Sequence, residues 1–277
     1  MKETIYTPHS PLQAPGRFAR EVAHDMRVVY HIGWQLFLRN LKVQLRQNML
    51  GYFWLVLPPL LTGLTWTYLG KHHLLAGYNS TTVPYPAFVL TGLFLWQGFV
   101  EALNCPMQQL QSARGTLAKV QVPHEAFIVA GVGGVLFNQA IRMLVLAVAL
   151  AWFGLPWHST MLLVPLGLGA LLVLGVALGW LLAPVSLLYA DISNALSMVV
   201  GFWFLITPVV YTAPRSVAWV IALNPVTPLL ATTRNWLLTG EAAPVPGFGL
   251  VAGLAGVALL ASWVLYRLAR PHLIVRL

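Results

Sequence analysis

Apolar residues in this chain gather into long blocks separated by short polar stretches. A helix crossing the hydrocarbon core of a bilayer needs about 20 mostly apolar residues. Six stretches meet that length, at 52–70, 84–104, 126–153, 161–189, 192–211 and 246–267. From Met143 to Ala190 there is no Lys, Arg, Asp or Glu. That run is too long for one helix, and the turn-forming residues Gly154 and Pro156 divide it. Asp191 then parts the fourth span from the fifth. The segment 212–244 is apolar but interrupted by Pro225 and Pro228, too short and too broken to cross. It reads as a re-entrant or interfacial helix pair, whose backbone groups must be covered by protein.

Ahead of the first span the period changes. Tyr30, Trp34, Phe37, Leu41 and Leu45 fall within an arc of roughly 80° on a helical projection, and Arg39, Lys42 and Arg46 lie opposite. Residues 28–48 therefore predict an amphipathic helix lying in the membrane interface, between a tail at 1–27 and a single transmembrane domain at 49–277. Two roles stay open for it: a membrane-surface anchor, or a lever that also touches a partner protein. Gly51, Pro58 and Pro59 let the chain turn and kink as it enters the bilayer.

Composition agrees with a membrane protein, since 58% of residues are hydrophobic and only 8% charged. The net charge of +9 does not form a patch suited to nucleic acid, because the cations sit at the ends of apolar runs. With six spans both termini share one side. That side holds Lys2, Arg17, Arg20, Arg27, Arg39, Lys42, Arg46, Arg114, Lys119, Arg267, Arg270 and Arg276, against Lys71, Arg215 and Arg234 on the other. The asymmetry places both termini in the cytoplasm. The first thirty residues contain no apolar core of a signal peptide, so no cleavable leader is expected. Cys105 is the only cysteine, which excludes an intrachain disulfide and a thiolate zinc site.

Catalytic signatures are missing. The Gly70-Lys71 pair is followed by His72, not by the Ser or Thr of a phosphate-binding loop, so ATP hydrolysis would have to come from another subunit. His124-Glu125 lacks the second histidine of a zinc-protease helix. Glu101 and Asp191 read as end-of-span residues reached by water, which disfavours an ion-coupled carrier. Arg142 is the one cation inside a span, and an unpartnered arginine there costs about 2.5–3.5 kcal/mol. Two readings stand side by side: it lines a polar path for an anionic substrate, or it snorkels or pairs with a helix carbonyl. Trp66, Tyr68, Trp96, Phe99 and Trp203 are candidates to line a path in which sugar rings pack their C–H faces on aromatic planes.

Four stretches together resemble the permease subunit of polysaccharide-exporting ABC transporters, the type-2 exporter group that moves O-antigen, capsule and teichoic acid chains. They are "LRNLKVQLRQNMLGYFWLVLPPL", "VPYPAFVLTGLFLWQGF", "LAKVQVPHEAFIVAGV", and "ITPVVY" followed by "LNPVTPLLATTRNWLLTG". They cover nearly the whole chain beyond residue 30, in order. The chain departs from the family's pattern at Asn40, Gln44, Leu45 and Ala190, where charged or Arg-Tyr residues are frequent, while Lys42, Arg46, Gly51, Trp54, Lys119, Pro123 and Asp191 are kept.

The resemblance implies an all-α integral membrane protein of six transmembrane helices that works as a homodimer in the bacterial inner membrane. It implies two ATP-binding partner subunits, which would hold ATP and Mg, and a lipid-linked polysaccharide as substrate. This chain would bind no cofactor or metal and carry no catalytic residue. A coupling loop at 105–125 would meet the ATP-binding subunit through Ser112, Arg114, Lys119, Pro123, His124 and Glu125. Asn224, Pro225 and Arg234 would belong to an external gate at 212–244. Two other functions remain: a permease for small molecules such as drugs, and a membrane-embedded transferase acting on a polyprenyl-linked sugar, for which seven scattered acidic residues are poor material.

Overall fold

The computed structural model describes residues 15–47, 53–71, 83–117, 123–189, 191–212 and 218–274. Among them there is no strand. The helices in chain order are α1 (Pro15–Gln47), α2 (Phe53–Lys71), α3 (Tyr85–Leu117), α4 (His124–Trp152), α5 (Val164–Leu188, preceded by a 3-10 turn at Ser159–Leu163), α6 (Asp191–Ile206), α7 (Ala218–Leu223), α8 (Val226–Leu238) and α9 (Phe248–Ile274).

Four helical segments among the described residues are long and apolar enough to cross a membrane: Tyr85–Gly115, His124–Trp152, Ser159–Leu188 and Phe248–Ala269. The chain is a multi-pass membrane protein on this ground. The other two expected spans are shorter. Helix α2 has 19 residues, reaching about 28 Å at 1.5 Å per residue, and carries Pro58 and Pro59. Helix α6 has 16, reaching about 24 Å, where the hydrocarbon core is about 30 Å thick. It stops at Ile206, not at residue 211, because Thr207 precedes Pro208 and residues before proline avoid the helical region. The chain then folds back, and the Tyr211 hydroxyl donates to the carbonyls of Leu205 and Ile206.

Two further boundaries differ from expectation. Helix α1 begins by Pro15, inside the segment expected to be a tail. Helix α3 runs to Leu117, so most of the segment expected as a coupling loop is helical. Pro106 only removes one ladder hydrogen bond, and the helix formers that follow, Met107 to Gln111, carry the helix on. The remaining loop, with Lys119, lies outside the described residues, as do Gly51 and the side chain of Arg46.

The apolar arc of α1 divides between two surroundings. Val29 and Gly33 are buried against α4, and Phe37 lies over Gly133. Tyr30 and Trp34 are exposed on the outer flank. Helix α1 is thus docked on the bundle while it offers aromatic side chains to its surroundings.

Helix α3 occupies the centre, packed by α2, α4, α5 and α8, with Phe94, Leu95, Phe99, Leu103, Met107 and Leu110 fully buried. Its contact with α5 depends on a small-residue stripe, Gly175 and Gly179, spaced as in the G-x-x-x-G motif that lets helix backbones meet. A Cβ at Gly179 would fall on the backbone carbonyl of Leu103, and one at Gly175 would crowd the carbonyl of Phe99. A backbone cannot yield as a side chain does, so Gly179→Leu should cost at least the 1–3 kcal/mol, roughly, of ordinary overpacking. In detergent it should lower the melting temperature and the yield of monodisperse protein. Gly201→Leu, where no atom lies within 4 Å, should not; equal behaviour of the two variants would mean that α3 and α5 do not meet.

Candidate functional site

Glu101 on α3 and Arg142 on α4 lie at matching distances from the short connection between these helices, which brings them to one level. Arg142 Nη1 and Glu101 Oε2 are 2.6 Å apart. Asn138 Nδ2 donates to Glu101 Oε1 at 2.6 Å, and Arg142 Nη1 donates to Gln139 Oε1 at 3.3 Å. Gln139 in turn donates to the Phe94 carbonyl, in space that Gly98 leaves open by having no Cβ. Arg142 is 5% exposed, and its Nε has no hydrogen-bond partner among the described residues.

This placement changes the reading of both residues. The extension of α3 moves Glu101 from the end of a span to the middle of the Tyr85–Gly115 segment. Arg142 neither snorkels nor bonds a helix carbonyl among the described contacts; it pairs with a carboxylate. Sequence reasoning left Glu101 out of the candidate site, although an arginine inside a span is itself a signal that an acid stands at its level. Asp191 stays at the exposed start of α6, where a negative charge suits the helix dipole.

An aromatic cluster adjoins the pair. Trp96 and Phe99 meet Trp203 edge-on, with centroids 6.4 and 5.3 Å away, Trp96 meets Phe204 at 5.8 Å, and Phe204 reaches Trp66 at 6.5 Å. Four of the aromatic candidates are thereby assembled from α2, α3 and α6. Tyr68 is not among them; it stands exposed on α2. A cavity of about 410 Å³ opens beside the cluster, walled by Thr62, Trp96, Gln97, Glu101, Arg142 and Phe204.

The residues expected at an external gate are tied to the same cluster. Asn224 Oδ1 accepts from Trp203 Nε1 at 2.9 Å and from the Val226 amide at 3.0 Å, and its Nδ2 donates to Thr207 Oγ1 at 2.8 Å. Pro225 follows as the residue that opens α8. Arg234 is buried, donates to the carbonyls of Pro208 and Val209, and lies 3.8 Å above the Phe88 ring. All three lie at the joint between the turn after α6 and helix α8.

The coupling candidates divide. Ser112 and Arg114 are exposed near the end of α3, and Pro123 is half-buried at the start of α4. His124 and Glu125 are 3% and 2% exposed and point into the protein. His124 Nδ1 lies 2.7 Å from the Tyr266 hydroxyl, and Arg267 Nε donates to Glu125 Oε1 at 2.8 Å. In this chain these two residues clamp α9 to the start of α4, a position in which neither presents itself to a partner. On α1, Trp34, Arg39 and Lys42 are exposed.

No family profile matches the chain. Individual relatives do match, over most of its length. An O-antigen export system permease protein RfbA of Myxococcus xanthus is 27% identical over 238 residues, covering 82% of this chain and 87% of its own. Two such proteins of Klebsiella pneumoniae are 23% and 21% identical, each covering 78% of this chain and 86% of the relative. The chain is a relative of O-antigen export permeases. The likeness extends over about four fifths of this permease-like chain, and the motifs quoted from its sequence pointed to the same group.

Asn224 is the side chain that ties the turn after α6 and Trp203 to the start of α8. Asn224→Ala would leave Trp203 Nε1 and the Val226 amide without their acceptor, at about 1–3 kcal/mol for each buried group left open, while Thr207 keeps its bond to the Trp203 carbonyl. Thermal unfolding in detergent should show a clear drop in midpoint, and Asn224→Asp, which keeps the acceptor, should recover part of it. A midpoint unchanged in Asn224→Ala would exclude this network.

Proposed function

We propose that the chain is the membrane permease of an ATP-driven exporter of a lipid-linked polysaccharide, working as a homodimer with two ATP-binding subunits in the bacterial inner membrane. The observation that carries this reading is the open cavity lined by Trp96 and Phe204, at the edge of an aromatic cluster with Trp66, Phe99 and Trp203 packed behind it, in a chain whose relatives are export permeases. Aromatic faces suit the C–H faces of sugar rings. The exposed apolar residues of α6 (Met198, Val199, Phe202) and of α2 (Leu61, Leu64) support a second copy packed across the cavity's open side.

In this reading α2 and α6 complete six spans, both termini are cytoplasmic, and α7 with α8 forms the external re-entrant pair. Ser112, Arg114, Lys119 and Pro123 form the surface for the ATP-binding subunit, which supplies ATP and Mg. His124 and Glu125 act behind that surface by holding α9. Nucleotide binding would shift the dimer between discrete states that close and open the path.

Purification of the chain with the ATP-binding protein encoded beside it tests the assembly. A stable complex whose ATP hydrolysis rises with lipid-linked glycan is the expected outcome, and Arg114→Glu should lower that stimulation several-fold while leaving the chain's own folding intact. Failure to associate with any ATPase would refute the exporter. The topology has its own test. Leu223 is 76% exposed whereas Asn224 is buried, so Leu223→Cys should react with an impermeant maleimide in spheroplasts whose inner membrane is sealed. Reaction only after permeabilisation would invert the orientation.

A further inference from the structure

We infer that the Glu101–Arg142 pair makes the cavity beside it a site for an uncharged hexopyranose unit and excludes anionic units. The inference rests on the permease reading and narrows it to a class of glycan.

Charge is the first ground. Glu101 and Arg142 are the only ionisable groups among the described residues that wall the cavity, and at 2.6 Å they cancel. A uronate or phosphate group arriving here would find its only cation already engaged. To bind Arg142 it would have to displace Glu101, which Asn138 holds, and break the ion pair of an arginine whose side chain is only 6% exposed. The pair therefore does not serve the anionic path that an isolated Arg142 would have offered.

Hydrogen bonding is the second. Arg142, a donor, and Glu101, an acceptor, stand side by side in the lining of the cavity. Adjacent hydroxyls of a sugar supply the complement, one accepting and one donating, without adding charge. Gln97 and Thr62 extend the same mixed capacity around the wall.

Shape is the third. Trp96 and Phe204, with centroids 5.8 Å apart, give the cavity an apolar aromatic lining alongside its polar groups. This mixed lining matches a pyranose, which has an apolar C–H face and a rim of hydroxyls. The volume of about 410 Å³ lies within the range of roughly 300–1,000 Å³ usual for small-molecule sites.

The test measures binding of two probes, maltohexaose and an oligogalacturonate of the same length, to the full chain in nanodiscs, alone and with its ATP-binding subunit. Tryptophan fluorescence titration reports occupancy beside Trp96. The wild type should bind maltohexaose at least tenfold more tightly than the oligogalacturonate. Glu101→Gln, which leaves Arg142 cationic, should shrink that ratio at least tenfold. Arg142→Gln should widen it, and the double variant, with no orphan charge, should keep the preference for the neutral probe. Equal affinity of the wild type for both probes, no binding of either, or a ratio unmoved by Glu101→Gln would overturn the inference. The wild-type ratio decides the matter even if a single variant fails to fold. Loss of the ATP-binding subunit from the complex is a separate result, which counts against the exporter and leaves the binding comparison on the chain alone in force.

Discussion

Helices in a bilayer gain nothing from hiding apolar surface from one another, since lipid is equally apolar; they associate by close packing and by polar contacts across the interface. Here that constraint falls on α3. Its neighbours approach it where one side or the other has no side chain. Gly175 and Gly179 bring α5 onto the carbonyls of Phe99 and Leu103, Gly92 admits the Val209 carbonyl, and Gly98 admits Gln139. The remaining features are positioned by this central rod, because α2, α4, α5 and α8 are all set against it.

The polar interior follows from that placement. Once α3 and α4 are fixed side by side, Glu101 and Arg142 have one level at which to meet, and Asn138 and Gln139 complete the shell within a turn of Arg142. The tryptophans follow the same logic at a neighbouring surface. Trp96 and Phe99 project from α3 to receive Trp203 from α6, and Trp203 reaches Asn224 ahead of α8. An ion pair, an aromatic wall and the buried cap of an outer helix thus form one connected set.

Much of this was legible from residue order. Long apolar blocks announce membrane helices, and the break at Gly154-Leu155-Pro156 lies where the chain turns, whereas the span expected to run to residue 211 stops at Ile206, ahead of Pro208. The amphipathic character of α1 was legible too, but its two flanks were not. Periodicity reports that a face is apolar; it does not say whether Val29 or Trp34 finds protein there. The length of α3 was missed because Pro106 and the polar run after it look like a helix end, although glutamines and alanine sustain a helix well. Arg142 was visible as costly, and its partner was not, because pairing depends on how two helices align. His124 and Glu125 looked like surface residues of a loop. Only the return of α9 from the far end of the chain shows what they hold.

That return joins residues 142 positions apart in sequence. With Glu125 bound to Arg267 and His124 against Tyr266, the start of α4 and the last turns of α9 are cross-braced, and Trp263 beneath the Arg267 guanidinium stiffens the joint. A force applied just before α4 is then shared from its first moment by two helices. The two contacts act as a yoke, so a displacement at the start of α4 is passed to α9 as well.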